Sequence, residues 1–200
     1  MPRISSREFE RLPLRVHEFL SEVPLHDAWA IDLPWVRSGI TLYEFWRTAT
    51  EPPCMPPPLV RGLLKIRFSL GRLFDWDRAP TAPFTETFAT RLTTADRSLS
   101  LVPPGTREGI FRVVYRFQNE QLLELTNRIA HAAALSALIE TGDVYRFYFG
   151  VYVRNVSRFA PAYVTLIDPV RTFLVYPSLL RALRTNWNKT FGQHENKIAK

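Results

Sequence analysis

The chain has 200 residues and a mass of 23.2 kDa, a length typical of a single domain. Hydrophobic residues make up 46% and charged residues 22%, which excludes a wholly disordered chain. Its one cysteine, Cys54, excludes a disulfide framework and a cysteine-based zinc site. The four histidines have no metal-ligand spacing, so the sequence predicts no metal site and no cofactor.

The formal charge of +7 is compatible with anionic partners, and 22 of the 26 basic residues are Arg. These basic residues are scattered from Arg3 to Arg184 without a run of five. A nucleic-acid-binding surface normally concentrates its charge in one patch or stripe. We therefore expect no nucleic-acid partner.

Neither a secretory signal nor a membrane span is visible in the sequence. The N-terminus lacks the apolar core of a signal peptide. The longest apolar tract, 159–180, is interrupted by Asp168, Arg171 and three prolines, whereas a spanning helix needs about 20 mostly apolar residues. We therefore predict a cytoplasmic protein without a transmembrane segment.

Residues 1–25 mix charged and apolar groups and are predicted to form an N-terminal arm that lies on the domain. The next segment, 26–34, alternates in character. Trp29, Ile31 and Leu33 share one side, which predicts a strand with a period of two.

Helices and a stiff loop follow this strand. Thr41 and Glu44 have the spacing of a capping box and predict a helix over 40–50. The proline-rich segment 51–58 predicts an extended loop. The leucine and isoleucine spacing over 59–74 predicts an amphipathic helix whose other side carries the basic residues Arg61, Lys65 and Arg72.

The segments 110–118 and 144–156 alternate clearly and are predicted to be strands with apolar residues on one face and Arg on the other. In the first, Phe111, Val113, Tyr115 and Phe117 share the apolar face. The segment 121–140 between them is ambiguous. Its Leu, Ala and Glu content favours one helix, but residues 126–128 can equally form a turn between two strands.

The C-terminal region predicts a long helix that begins with Asp168 as N-cap and Pro169 at the first helical position. Pro177 is expected to kink this helix. The predicted buried stripe consists of Val170, Phe173, Leu174, Leu180, Leu183 and Trp187.

The order of the elements indicates an α+β fold in which a curved antiparallel sheet wraps around the long C-terminal helix. This is the order of the helix-grip, or START-like, architecture. The predicted organisation is an arm over residues 1–25, a single domain over 26–188 and a flexible tail over 189–200.

Four stretches carry a resemblance to a known family: HDAWAIDLP (26–34), GLLKIRFSLGRLFDWD (62–77), and the segments 115–138 and 145–181. They resemble the bacterial family called domain of unknown function 2867, which is usually placed in the START-like (SRPBCC) superfamily. The likeness covers residues 25–187. It implies that 121–140 forms two strands, and it implies no catalytic residues, because none are established for the family.

The polar candidates are weak when taken one by one. His131 lies among apolar residues and is expected to be a hydrogen-bonded core residue. His26 and Asp27 are neighbours that should point to opposite faces of a strand, which argues against a dyad. Asp75 and Asp77 lack the further ligands of a calcium loop.

Aromatic residues make up 13% of the chain. Such residues with few polar groups line small-molecule pockets, and they also fill cores. The first hypothesis is therefore a non-catalytic module that binds an apolar or amphipathic small molecule between the sheet and the C-terminal helix. The candidate pocket residues are Trp29, Tyr115, Phe117, His131, Phe147 and Phe149.

The second hypothesis is a peripheral protein whose basic helix faces contact anionic lipid or a protein partner. Its candidate residues are Arg61, Lys65, Arg72, Arg181 and Arg184. A third hypothesis is an enzyme of the same fold, for which only His131 is visible as a polar group inside the domain.

Overall fold

Six strands are present in the computed structural model, which describes residues 3–34, 37–50, 62, 65, 87–126, 130–155 and 168–191. The strands are β1 (Leu25–Pro34), β2 (Arg107–Glu108), β3 (Phe111–Arg116), β4 (Glu120–Thr126), β5 (Ala130–Thr141) and β6 (Val144–Asn155). They form one sheet in the order β1-β6-β5-β4-β3-β2, and every neighbouring pair is antiparallel. The predicted α+β class with an antiparallel sheet is confirmed.

Among the helices that the structure describes from end to end, only the one at the C-terminus is long. They are α1 (Ser6–Glu10), α2 (Val16–Phe19), α3 (Leu42–Thr50), a 3-10 helix (Phe88–Arg91), α4 (Thr94–Leu99), a π-helical turn (Arg171–Val175) and α5 (Tyr176–Phe191). Residues 168–191 are continuously helical and are called the C-terminal helical segment.

Two predictions about single elements are confirmed. α3 starts where the capping pattern placed it, and the Thr41 hydroxyl accepts a hydrogen bond from the Glu44 amide. The ambiguous segment 121–140 forms β4 and β5 rather than a helix. The helix predicted over 59–74 lies outside the described residues apart from Gly62 and Lys65, which are both helical.

Both faces of the sheet are covered by other elements. On one face, called the helix face, Trp29, Ile31 and Phe147 belong to a core shared with α3 and α5. On the other, called the arm face, Tyr148 and Tyr152 belong to a core shared with α1, α2 and the 3-10 helix. The prediction that β6 is apolar on one side only is therefore wrong, because the N-terminal arm folds over its second face.

An irregularity in β3 changes which of its residues face the arm. The register between β3 and β4 shifts between Val113 and Tyr115, so two successive residues, Val114 and Tyr115, both pack in the arm-face core. The prediction that Val113 and Tyr115 share one face is wrong for this reason.

The buried stripe of α5 is partly as predicted. Leu180, Leu183 and Trp187 are fully buried, but Phe173 is 75% exposed. Phe173 lies in the π-helical turn just before Pro177, which has no amide hydrogen to continue an α-helical ladder. A π-helical turn has more residues per turn than an α-helix, so the rotation between successive side chains about the helix axis is smaller. A period of 3.6 residues therefore assigns Phe173 to the wrong side of the helix.

Gly150 allows a close contact between β6 and α1. A Cβ added to Gly150 would lie 2.8 Å from Cζ of Phe9, whose ring is fully buried. That ring lies edge-on to His17, with 5.3 Å between centroids, and 6.4 Å from Tyr148. Because these neighbours enclose it, the ring has little room to move away from an added methyl group.

The variant Gly150→Ala should lower the free energy of unfolding by about 1–3 kcal/mol, because the methyl group overpacks the arm face. Gly62→Ala is the matched control: Gly62 is helical and, among the described residues, no atom lies within 4 Å of an added Cβ, so this change should not destabilise the fold. Urea unfolding measures both. The double variant Gly150→Ala, Phe9→Leu should lose less unfolding free energy than the two single variants lose together, because the smaller side chain makes space for the methyl group. Losses that simply add would contradict a direct contact between the two residues.

Candidate functional site

The sheet separates the six predicted pocket residues into two groups. Trp29, Phe147 and Phe149 lie on the helix face. The other three, Tyr115, Phe117 and His131, lie with the arm-face core or point to the same side. A single pocket lined by all six is therefore impossible, and the prediction that they share one inner face is wrong.

On the arm face, His131 is part of a buried, hydrogen-bonded polar group. Its Nε2 lies 3.0 Å from Oε2 of Glu124, and its ring stacks on Phe88 with 3.7 Å between centroids. The same carboxylate oxygen accepts a hydrogen bond of 2.8 Å from the Phe88 amide at the start of the 3-10 helix. His131 is thus a hydrogen-bonded core residue, as expected.

A second buried glutamate on β4 holds the arm in the same way. The Glu120 carboxylate accepts hydrogen bonds from the amides of Arg15 and Val16, at 2.8 and 3.0 Å, and from the Tyr115 hydroxyl at 2.5 Å. These amides lie at the N-terminus of α2, where an α-helix leaves its N–H groups without internal partners. Glu120 therefore fixes the position of α2 on the sheet.

The environments of the two glutamates shift their pKa values in opposite directions. Burial raises the pKa of Glu120 above its ordinary value, although the hydrogen bonds from Tyr115, Arg15 and Val16 oppose the shift. Burial also acts to raise the pKa of Glu124, but hydrogen bonds from His131, Thr87 and Phe88 outweigh it and lower the pKa. Both groups are engaged with elements of the fold, so we interpret them as structural.

On the helix face, a second polar group joins the start of β1 to the C-terminal helical segment. Nη2 of Arg171 lies 3.0 Å from Oδ2 of Asp27, and Nε2 of His26 lies 2.9 and 2.8 Å from the two carboxylate oxygens of Asp168. Nη1 of Arg171 is also 3.6 Å from Asp168. Burial raises the pKa of Asp27, while Arg171 and His26 oppose this shift.

A bulge at the start of β1 makes this arrangement possible. The pairing with β6 passes from Leu25–Tyr152 to Asp27–Val151, which leaves His26 as an extra residue. As a result, Nε2 of His26 lies 4.0 Å from Oδ2 of Asp27. The prediction that these two neighbours point to opposite faces is wrong, because strict alternation holds only in a regular strand.

Aromatic rings adjoin these ion pairs. The Tyr176 ring lies 5.8 Å from Trp29 and 5.2 Å from Phe149, centroid to centroid. The Arg171 guanidinium lies 5.2 Å from the Tyr176 centroid. Together these residues form the helix-face cluster, which consists of His26, Asp27, Trp29, Phe149, Asp168, Arg171 and Tyr176.

Three atoms of the helix-face cluster are buried without a hydrogen-bond partner. Oδ1 of Asp27, Nε1 of Trp29 and Nε of Arg171 have no such partner in the part of the chain that the structure describes. A buried polar group without a partner costs about 1–3 kcal/mol. Such groups are rare in folded proteins, and ligands or ordered water commonly supply the partner.

The helix-face cluster has one solvated side. The side chains of His26 and Asp168 are 25% and 30% exposed, whereas that of Asp27 is 3% exposed. The His26–Asp168 pair thus forms a rim, with the unpartnered atoms of Asp27 and Trp29 deeper in the protein.

Sequence reasoning found Trp29 and Phe149, considered His26 and Asp27 but rejected them as a dyad, and missed Asp168 and Arg171. Asp168 and Arg171 have the spacing of three that joins side chains on a helix, and both interrupt an apolar tract. This spacing was the sequence signal that could have indicated a polar site on the C-terminal helical segment. Their pairing with His26 and Asp27, more than 140 positions earlier in the chain, has no sequence pattern that could reveal it.

The remaining candidates do not assemble into a site in the described ranges. Arg181, Arg184 and Lys65 are exposed, while Arg61 and Arg72 lie outside the described residues, as do Asp75 and Asp77. No group of three or more His, Cys, Asp or Glu within those ranges is arranged to hold a metal ion. Among the helices that the structure describes, none is both long and apolar enough to cross a membrane.

Comparison with known proteins supports the resemblance noted above. The sequence pattern of a family described as protein of unknown function (DUF2867) matches residues 19–178. Neither the curated proteins nor the solved structures that were searched include a match. The matched range contains every residue of the helix-face cluster.

Two tryptophans offer a matched test of the unpartnered atoms. Nε1 of Trp187 donates to the Pro34 carbonyl at 3.0 Å, whereas Nε1 of Trp29 has no partner among the described residues. Both Trp→Phe changes remove the same volume. Trp187→Phe should therefore cost about 1–2 kcal/mol more unfolding free energy than Trp29→Phe, because it leaves a carbonyl unpaired. An equal or larger loss for Trp29→Phe in urea unfolding would show that its indole N–H is bonded in solution.

Acidification should affect the two buried glutamates in opposite ways. The lowered pKa of Glu124 means that its stabilising contribution is present above the pKa of the unfolded chain and is lost as pH falls through the folded value. The raised pKa of Glu120 gives a contribution that is present at low pH and is lost as pH rises through its folded value. Carboxyl NMR titration should place Glu124 below, and Glu120 above, the values of the urea-unfolded chain. The reverse order would refute this assignment.

Proposed function

The chain belongs to the DUF2867 family, and we propose that it binds a small amphipathic molecule between the helix face of its sheet and the start of the C-terminal helical segment. The observation that carries the proposal is the set of three buried, unpartnered polar atoms in the helix-face cluster, found within the described residues. One of these atoms belongs to Trp29, whose ring contacts Tyr176, and Tyr176 in turn contacts Phe149 and the guanidinium of Arg171. Binding sites for small molecules combine mostly apolar walls with a few fixed polar groups.

Local irregularities of the backbone support the same location. The bulge at His26 and the π-helical turn Arg171–Val175 both contribute residues to the helix-face cluster. β-bulges are over-represented next to active sites, and π-helical turns within α-helices occur often at functional sites. Two such irregularities meet here.

The proposal includes a helix-grip, START-like arrangement of the domain. The strand order, with β1 beside β6 at one side of the sheet, supports it. The C-terminal helical segment also follows β1 along its length. Arg171 contacts Asp27 near the start of β1, and Trp187 contacts Pro34 at its end.

We propose binding rather than catalysis because the ionisable side chains of the cluster are paired with one another. Asp168 holds the imidazole of His26, and Asp27 holds the guanidinium of Arg171. These pairs fix the walls of a site.

The test uses N-phenyl-1-naphthylamine, a neutral probe that fluoresces in apolar sites, with two matched variants. Phe149 and Phe117 are both half-buried and contact a tyrosine, but they lie on opposite faces of the sheet. Phe149→Leu should weaken probe binding roughly three- to tenfold, which is the range of one aromatic contact. Phe117→Leu should leave it unchanged.

Two results would contradict the proposal. One is that the probe shows no saturable binding to the unaltered chain. The other is that Phe117→Leu weakens binding as much as Phe149→Leu, which would place the probe elsewhere or indicate a general loss of structure. Circular dichroism of each variant separates these cases.

A further inference from the structure

The helix-face cluster also constrains the polar group that a bound molecule carries. Its three unpartnered atoms are of two kinds, within the described residues. Nε1 of Trp29 and Nε of Arg171 are hydrogen-bond donors, and Oδ1 of Asp27 is an acceptor when the carboxyl is ionised. A group that satisfies all three must accept two hydrogen bonds and donate one.

Charge limits the choice further. Arg171 already has Asp27 at 3.0 Å and Asp168 at 3.6 Å, so its positive charge is compensated. A carboxylate or phosphate ligand would bring a further negative charge beside the buried oxygen of Asp27. An ammonium group would meet two donors and the guanidinium, and it has no acceptor to offer them. Uncompensated charge in a buried site is strongly unfavourable.

The rings set the character of the rest of the molecule. Trp29 and Phe149 both contact Tyr176, with 5.8 and 5.2 Å between ring centroids. Burial raises the pKa of Tyr176, so its hydroxyl stays neutral and adds no charge. These flat apolar surfaces suit an aromatic or extended apolar body beside the polar group.

We infer that the site takes a neutral molecule in which an apolar body carries a carboxamide or hydroxyl group, with this group hydrogen-bonded to Trp29, Arg171 and Asp27. The inference rests on the proposed function, because it names the ligand class of the same site. It differs from general apolar binding by requiring a polar group that both donates and accepts.

The experiment compares four compounds that share one naphthalene body: 2-naphthamide, 2-naphthoate, 2-naphthylmethylammonium and 2-methylnaphthalene. Each displaces N-phenyl-1-naphthylamine from the full chain at neutral pH. The amide should bind at least about tenfold more tightly than each of the other three, because it alone matches two donors and one acceptor without adding charge.

Trp29→Phe supplies the second measurement. It removes one donor and keeps an aromatic ring, so affinity for 2-naphthamide should fall roughly three- to tenfold. Affinity for 2-methylnaphthalene, which makes no hydrogen bond, should change by less than about twofold. Trp187→Phe is the matched control, because Nε1 of Trp187 is already bonded to Pro34, and it should leave the preference for the amide intact.

The outcomes separate the inference from the proposed function. If the probe binds but all four compounds displace it equally, the site is apolar and the inference is overturned, with an internal water as the partner of the three atoms. Tighter binding of the carboxylate or the ammonium also overturns it. If the probe does not bind at all, the proposed function fails and the inference falls with it.

Discussion

Because the sheet is covered on both faces, the polar side chains in its interior need partners in the covering layers. A buried carboxylate must be paired or hydrogen-bonded, since desolvation of the charge is costly. Three such carboxylates are buried on the strands: Glu120 and Glu124 on β4 and Asp27 on β1. Each of them contacts the element that covers its face, so these contacts determine where α2, the 3-10 helix and the C-terminal helical segment lie.

The three carboxylates differ in how completely they are bonded. Glu120 receives two main-chain amides and a hydroxyl, and Glu124 receives a main-chain amide, a hydroxyl and an imidazole. Asp27 receives one guanidinium, and its other oxygen has no hydrogen-bond partner among the described residues. A carboxylate with a purely structural role is expected to find its hydrogen-bond partners within the chain, as Glu120 and Glu124 do. Incomplete bonding beside two unpartnered donors leaves hydrogen-bonding capacity unused among the described residues, and the proposed binding site rests on that capacity.

Regular elements could be predicted from the sequence, and irregular ones could not. The alternation in 26–34 and 144–156 predicts β1 and β6, and the Thr41 cap predicts α3. Propensity alone favours a helix over 121–140, and the family resemblance was needed to recognise two strands, because cross-strand pairing outweighs local preference. The arm was expected to lie on the domain. Its contribution to the core, through residues such as Phe9, depends on tertiary contacts that no local pattern reveals.

The candidate site could be predicted only in its aromatic part, and the reason is geometric. Sequence periodicity assumes a constant number of residues per repeat, and the bulge at His26 and the π-helical turn after Val170 each add a residue to a repeat. The bulge brings His26 to within 4.0 Å of Asp27, on the side that meets Asp168 and Arg171. A regular β1 would turn His26 away from Asp27 and from the C-terminal helical segment. The same irregularities that make the prediction fail therefore bring the four polar side chains together, and the candidate site depends on them.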